Sequence, residues 1–163
     1  MPVKNAAPWL EECILSIQNQ TFADWQLLAV DDFSTDTSWE ILQNFRERDN
    51  RISVLKNKTP GITNALQLAF ENCTGNYISR MDADDVMPPK KLETLLFVAQ
   101  QNQNCIATGL VKYFGDTLVS DGYLDYQNWL NERVLNQDFA NHIFRECVLA
   151  SPNWVTHRKN IEA

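Results

Sequence analysis

Leu10, Cys13, Ile14 and Ile17 recur at the i, i+3, i+4, i+7 spacing of one helical face, and Pro8 suits the first turn of a helix opening at Ala6-Ala7. Trp25 to Val30 is a short continuous apolar run, the pattern of a parallel strand covered on both sides. Ser34, Thr35 and Asp36 are competent helix caps, and Trp39, Ile41, Leu42 and Phe45 supply the inward face of a second helix ending at Arg48. Ile52 to Leu55 predicts the next strand. Ile62, Ala65, Leu66, Ala69 and Phe70 trace a third helix, and Tyr77 to Met81 a further strand. Met1 to Asn5 reads as the tail of a strand. It is short for an open sheet, so part of a first strand is expected ahead of Met1.

Strand and helix thus alternate at intervals of about 25 residues, which predicts a parallel sheet with helices on both faces. After Pro88-Pro89 a helix carries Leu92, Leu95, Leu96 and Ala99. Asn104 to Phe114 reads as a strand, Gly115-Asp116 as a hairpin turn and Thr117 to Ser120 as its return. Tyr123 to Cys147 is helical by pattern, through Tyr126, Trp129, Leu130 and Val134, then Phe139, Ile143 and Phe144. Val148 to Arg158 predicts a strand bent or edged at Pro152. The second half is therefore expected to be mixed rather than parallel.

Two acidic clusters end strands of this alternation, Asp31-Asp32 and Asp82-Ala83-Asp84-Asp85. Crowded carboxylates raise one another's pKa unless a cation sits among them, and an Asp-x-Asp corner suits a hard divalent ion, Mg²⁺ or Mn²⁺. The plain alternative is a solvated acidic turn with Asp85 as a helix cap. Ligands of open α/β sheets bind at the carboxyl ends of strands, and both clusters stand there, which favours a ligand site.

Composition narrows the partners. The 163 residues, 18.8 kDa, fit a single domain, and a net charge of −7 leaves no basic footprint for nucleic acid or an anionic membrane surface. An acidic chain that binds a phosphorylated ligand needs a metal to screen it. No apolar run reaches the length of a membrane span, and Met1 is not followed by the charged and apolar regions of a signal peptide. Cys13, Cys73, Cys105 and Cys147 form no CxxC pair and are expected as reduced core thiols of a cytosolic chain. His142 and His157 are too few for a zinc site.

Four motifs in order carry a resemblance: Met1-Pro2-Val3-x-Asn5, Val30-Asp31-Asp32-x-Ser34-Thr35-Asp36, Gly61-Ile62-Thr63-x-Ala65-Leu66 and Arg80-Met81-Asp82-Ala83-Asp84-Asp85. Together they resemble the family 2 glycosyltransferases, closely over roughly residues 1–100 and more loosely at Tyr126-x-x-Trp129-Leu130-Asn131 and Ser151-Pro152. The resemblance implies an α/β domain of GT-A type: a mostly parallel, Rossmann-like sheet sandwiched by helices, mixed in its second half. Residues 1–100 would be the nucleotide-sugar-binding half and 101–163 the start of the acceptor half.

On the same basis Asp82 and Asp84 are expected to hold Mg²⁺ or Mn²⁺ against the diphosphate of a nucleotide sugar. Asp32 would accept a hydrogen bond from the nucleobase, favouring a UDP-sugar, with Asp31, Pro2 and Asn5 bordering the nucleotide. Arg80 would stand beside the diphosphate or ribose, or pair with an Asp. The implied reaction is inverting transfer to a saccharide or lipid-linked acceptor in cell-surface polysaccharide synthesis. The implied location is cytoplasmic, with a peripheral place at the inner membrane face for a full-length enzyme. The family's general base falls later than any matching position here, so it is expected beyond Ala163, and this chain is expected to bind donor with little or no turnover.

Two positions depart from the family pattern. Phe33 stands where Gly is usual, so the turn after Asp32 must avoid positive φ or accept strain, and Lys4 replaces a common aromatic residue. Three rival readings are weighed. A phosphoreceiver domain would use Asp31-Asp32 and Lys112, but a strand and helix precede that pair and the second cluster is surplus. A sugar-phosphate nucleotidyltransferase would want a Gly-rich basic loop after Val3, where there is no glycine. A silent interaction domain is the third.

Overall fold

The computed structural model describes residues 1–115 and 117–162. Ala163 and Asp116, half of the expected hairpin turn, lie outside the described residues.

The first half follows the alternation: β1 (Pro2–Val3), α1 (Ala7–Gln18), β2 (Leu27–Asp31), α2 (Ser38–Arg48), β3 (Ile52–Lys56) and α3 (Ile62–Asn72). β1, β2 and β3 form a parallel sheet in that order. Every residue of β2 is buried, as a doubly covered strand requires. Leu27 and Ala29 join one core cluster with Leu10, Cys13, Ile14 and Ile17 of α1 and Leu42 and Phe45 of α2. Leu28 and Val30 turn the other way, onto Ala65 and Ala69 of α3. Helices thus cover both faces, as the sequence predicts. Leu10, Ile14 and Leu42 are wholly buried, and truncating any of them to Ala would cost about 2–5 kcal/mol.

The chain continues with β4 (Tyr77–Ser79), α4 (Lys91–Gln101), β5 (Ile106–Thr108), α5 (Asp121–Asn136), a 3-10 turn at Phe139–Asn141, β6 (Trp154–His157) and α6 (Lys159–Glu162). β4 is expected beside the parallel strands but pairs antiparallel with β6 instead, in a second sheet ordered β4-β6-β5. The reason is geometric. β1 has only two paired residues, both spent on β2, and a cleft separates β2 from β4. Leu95 and Ala99 of α4 pack on Ala107 and Val155 of the second sheet.

Other expectations are corrected. The strand predicted over 104–114 shrinks to Ile106–Thr108, and the described residues of 117–120 form no strand. Asn131 holds the intervening backbone instead: Val111 N–H donates to its Oδ1 at 2.8 Å, and its Nδ2 donates to the Val111 carbonyl at 2.9 Å. The long helix ends at Asn136, where Gln137 takes a left-handed conformation, and Phe144 is 98% exposed rather than buried. Cysteines 13, 73, 105 and 147 are all free thiols, yet Cys147 is exposed and belongs to no core. No helix among the described residues is long and apolar enough to cross a membrane.

Candidate active site

A cleft of about 450 Å³ opens where β1 and β2 end and the segment after β4 begins. Asp32 forms its inner wall and is 4% exposed. Backbone pairing delivers it there, because its N–H donates to the Val3 carbonyl at 2.7 Å, immediately past the β1–β2 ladder. Asn57 Nδ2 donates to Asp32 Oδ1 at 2.7 Å, and Gly61 N–H is shared between Oδ1 and Oδ2 at 3.0 and 3.1 Å. Lys4 Nζ lies 3.9 Å from Oδ2, with a side chain 58% exposed. A buried carboxylate bonded by several donors on one side keeps acceptor capacity for a ligand on the other.

The acidic corner supplies the opposite wall through Arg80, Asp82 and Asp84. Arg80 grips Asp82 as a fork, with Nε donating to Oδ1 at 2.9 Å and Nη2 to Oδ2 at 3.2 Å. Both side chains remain about a quarter exposed, at 23% and 25%, so the fork faces the solvent-filled cleft. Asp85 is turned inward. Burial, then the charges of Asp84 and Asp82, push its carboxyl up to about 6. Its expected role as a helix cap is not met, since α4 starts at Lys91 with Lys90 as cap residue. Burial lowers Lys91 to about 8, against the pull of Asp85, and its ammonium donates to the Pro152 carbonyl.

The donor set fits a hard cation that retains other ligands. Among the described residues no three acids, histidines or cysteines converge on one point, so a protein-only cage is absent. Asp82 and Asp84 offer carboxylate oxygens alone, and Asp82 is already half-committed to Arg80. Two carboxylates would leave a hard ion such as Mg²⁺ room to keep water or take phosphate oxygens.

Of the residues expected at the nucleotide, Pro2, Asp32, Arg80 and Asp82 line the cleft with Asp84, whereas Asn5 and Asp31 do not. Asn5, at φ 49°, accepts the Thr35 N–H on Oδ1 at 2.8 Å and donates its own N–H to Ser34 Oγ at 3.1 Å. Ala6 N–H donates to Ser38 Oγ at 2.9 Å, and Ala7 N–H to Asp36 Oδ2 at 3.0 Å. Asn5 therefore staples the loop after β1 to the loop after β2, behind the cleft. Asp31 is buried, and its Oδ1 has no hydrogen-bond partner among the described residues.

Gly61, Ile62 and Trp9 also line the cleft, though the sequence places the first two in a motif without a site role and says nothing of the third. Ile62 reads as a core position of α3 but is 53% exposed, because the first turn of that helix faces the cleft. Pro60-Gly61 ahead of the helix was the available signal, since Gly61 takes φ 128°, a conformation few other residues accept.

Known proteins share this fold and sequence pattern. The family model described as Glycosyl transferase family 2 matches residues 1–157. The uncharacterized glycosyltransferase EpsJ of Bacillus subtilis (strain 168) is 32% identical over 117 residues, 71% of this chain and 34% of EpsJ. S. aureus TarS 1-349 in complex with UDP-GlcNAc superposes with a TM-score of 0.68 at 18% identity, covering 99% of this chain and 45% of that one. Mannosyltransferase PcManGT from Pyrobaculum calidifontis, in complex with GDP-Man and Mn²⁺, gives a TM-score of 0.69 at 19% identity over 99% and 44% of the two chains. The chain thus spans about a third of EpsJ and less than half of each solved structure.

Proposed function

The chain belongs to glycosyl transferase family 2, and from that premise we propose that it binds a nucleoside-diphosphate sugar in this cleft for divalent-metal-dependent transfer of the sugar. One observation carries the reading: a buried, hydrogen-bonded carboxylate, Asp32, and the Asp82/Asp84 pair share the two walls of a single cleft. Solved neighbours of the same fold contain UDP-GlcNAc, or GDP-Man with Mn²⁺, which supports the ligand class.

Asp32 accepts the imide N–H of a uracil through its free acceptor capacity, while Lys4 stands beside it as a donor for a base carbonyl. Cytosine presents an acceptor where uracil presents that N–H, and is disfavoured. Asp82 and Asp84 would hold Mg²⁺ or Mn²⁺. Bound there, the ion would screen the diphosphate and stabilise the charge left on the departing nucleoside diphosphate. Arg80 orients Asp82 and offers its guanidinium to a phosphate oxygen.

Inverting transfer to a saccharide or lipid-linked acceptor further requires a base for the acceptor hydroxyl proton. Asp32, Asp82 and Asp84 are the cleft carboxylates among the described residues, and each has another task. The proposal for this chain is therefore donor binding. Calorimetric titration with UDP, with and without Mn²⁺, tests it. Binding that requires Mn²⁺ and is lost in Asp84→Ala is expected; metal-independent binding, or binding indifferent to that substitution, overturns the assignment.

A further inference from the structure

One aromatic ring, the indole of Trp9, stands among the residues that line the candidate cleft. The chain has five tryptophans, and among the described residues Trp9 is the exposed one, at 49%. Trp25, Trp39 and Trp129 each carry a cation over the ring: Arg51, Lys56 and Arg133, at 3.8, 4.2 and 5.5 Å. Among the described residues neither a cation nor a second ring covers Trp9. A large apolar face is thus left open inside a cleft otherwise rich in charge.

The helix that carries it fixes where the ring stands. One flank of α1 docks on the stretch after β4, contact by contact. Gln20, just past the helix end, donates from Nε2 to the Pro88 carbonyl at 2.9 Å. Met87 N–H donates to Ser16 Oγ at 3.0 Å, and Cys13 Sγ donates to the Asp82 carbonyl at 3.5 Å. Positions 9, 13 and 16 share this flank by their helical spacing, so Trp9 lies one turn beyond Cys13. Helical side chains lean toward the N-terminus, which carries the indole past Asp82 to the cleft wall shared with Ala83 and Asp84.

The two walls therefore have different apolar cover. On the Asp32 side it is Ile62, 53% exposed, next in sequence to the Gly61 whose N–H bonds Asp32. On the Asp82/Asp84 side it is Trp9. A base read by Asp32 meets the first. The group joined to the far end of a diphosphate at Asp82 and Asp84 meets the second, and in a nucleoside-diphosphate sugar that group is a pyranose. A pyranose presents a face of C–H groups with its hydroxyls toward the rim. Such a face packs on the electron-rich face of an indole.

We propose that Trp9 is the platform for the transferred sugar: the pyranose lies against its indole, which orients the ring and favours the sugar nucleotide over the bare nucleotide. This rests on the donor-binding reading of the cleft.

The test compares UDP with UDP-GlcNAc and with UDP-glucose, all with Mn²⁺, by calorimetry on the native chain, Trp9→Ala and Trp9→Phe. The ratio of sugar-nucleotide to UDP affinity is expected to fall about tenfold in Trp9→Ala and to be largely kept in Trp9→Phe. NMR gives a second readout. Protons on one face of the bound pyranose should move upfield under the ring current of the native indole and lose that shift in Trp9→Ala. An equal loss of UDP and of both sugar nucleotides makes Trp9 a base or packing contact and overturns the proposal. A ratio unchanged for both sugars, or the absence of a ring-current shift, overturns it as well. Failure of the underlying reading looks different: UDP would then not bind the native chain with Mn²⁺, and the sugar platform falls with it.

Discussion

Gly61 donates its N–H to both carboxylate oxygens of Asp32, tying the start of α3 to the end of β2 beside the candidate cleft. The bond depends on a backbone conformation, φ 128° and ψ 139°, that an L residue resists. Space is not the obstacle, for an added Cβ would meet Asn64 Nδ2 at 3.5 Å. Gly61→Ala is therefore expected to lower stability by about 1–3 kcal/mol through strain alone. Because relief of that strain displaces Asp32, UDP affinity should fall with it, read by calorimetry alongside a denaturant melt.

Arg80 competes for the carboxylate that the ion would use. Arg80→Met should free Asp82 and strengthen binding of Mn²⁺ alone, while weakening UDP in the presence of Mn²⁺ by about tenfold. A guanidinium that merely propped the corner would move both affinities the same way. Separate titrations with metal and with nucleotide distinguish the two.

Phe33 answers the question its sequence position posed. Its φ is 60°, so the turn accepts the left-handed conformation, with the ring 49% exposed. Phe33→Gly should raise stability by about 1 kcal/mol, a few degrees in Tm. The ring does not line the candidate cleft, so UDP affinity is expected to stay unchanged.

The buried Met1 ammonium gives a pH signature. Desolvation lowers its pKa from the ordinary 8.0 to about 6, with Asp82 opposing. Above pH 8 the group is neutral folded or unfolded. Between pH 8 and 6 the unfolded chain takes up a proton that the fold resists, so stability falls across that window. Below about pH 6 both states are charged and the loss is complete. Two units correspond to roughly 2–3 kcal/mol. Asp85, raised from 3.8 to about 6, and Lys91, lowered from 10.5 to about 8, act on either side of this window. Urea melts at pH 6 and pH 8 of a chain that starts at Met1 should show the difference, and N-terminal acetylation should remove it.

The first half of the fold was legible because local pattern and tertiary environment agree there. Leu10, Cys13, Ile14 and Ile17 sit on one stripe and all four are buried in one cluster. The second half was not, because β6 reaches back to pair with β4 across more than seventy residues, as in Tyr77↔His157. No periodicity encodes a partner at that distance. Asp32, Asp82 and Asp84 stand out in the sequence as carboxylates at strand ends, and the fold brings all three to one cleft. Lys4 beside Asp32, and Ile62 and Trp9 on the cleft wall, depend on how separate loops come together. Asn5 shows the reverse: its side chain bonds the backbone of Thr35 and does not line the cleft.

That last contact reaches beyond its own loop. Asn5 with Ser34 and Thr35, Ala6 with Ser38, and Ala7 with Asp36 lace two loops together at four points of backbone. Neither loop can swing alone, so this side of the cleft moves as one plate. The opposite wall is held differently, by the side-chain fork between Arg80 and Asp82. A ligand entering here meets one wall whose ordering cost has been met by folding rather than by binding.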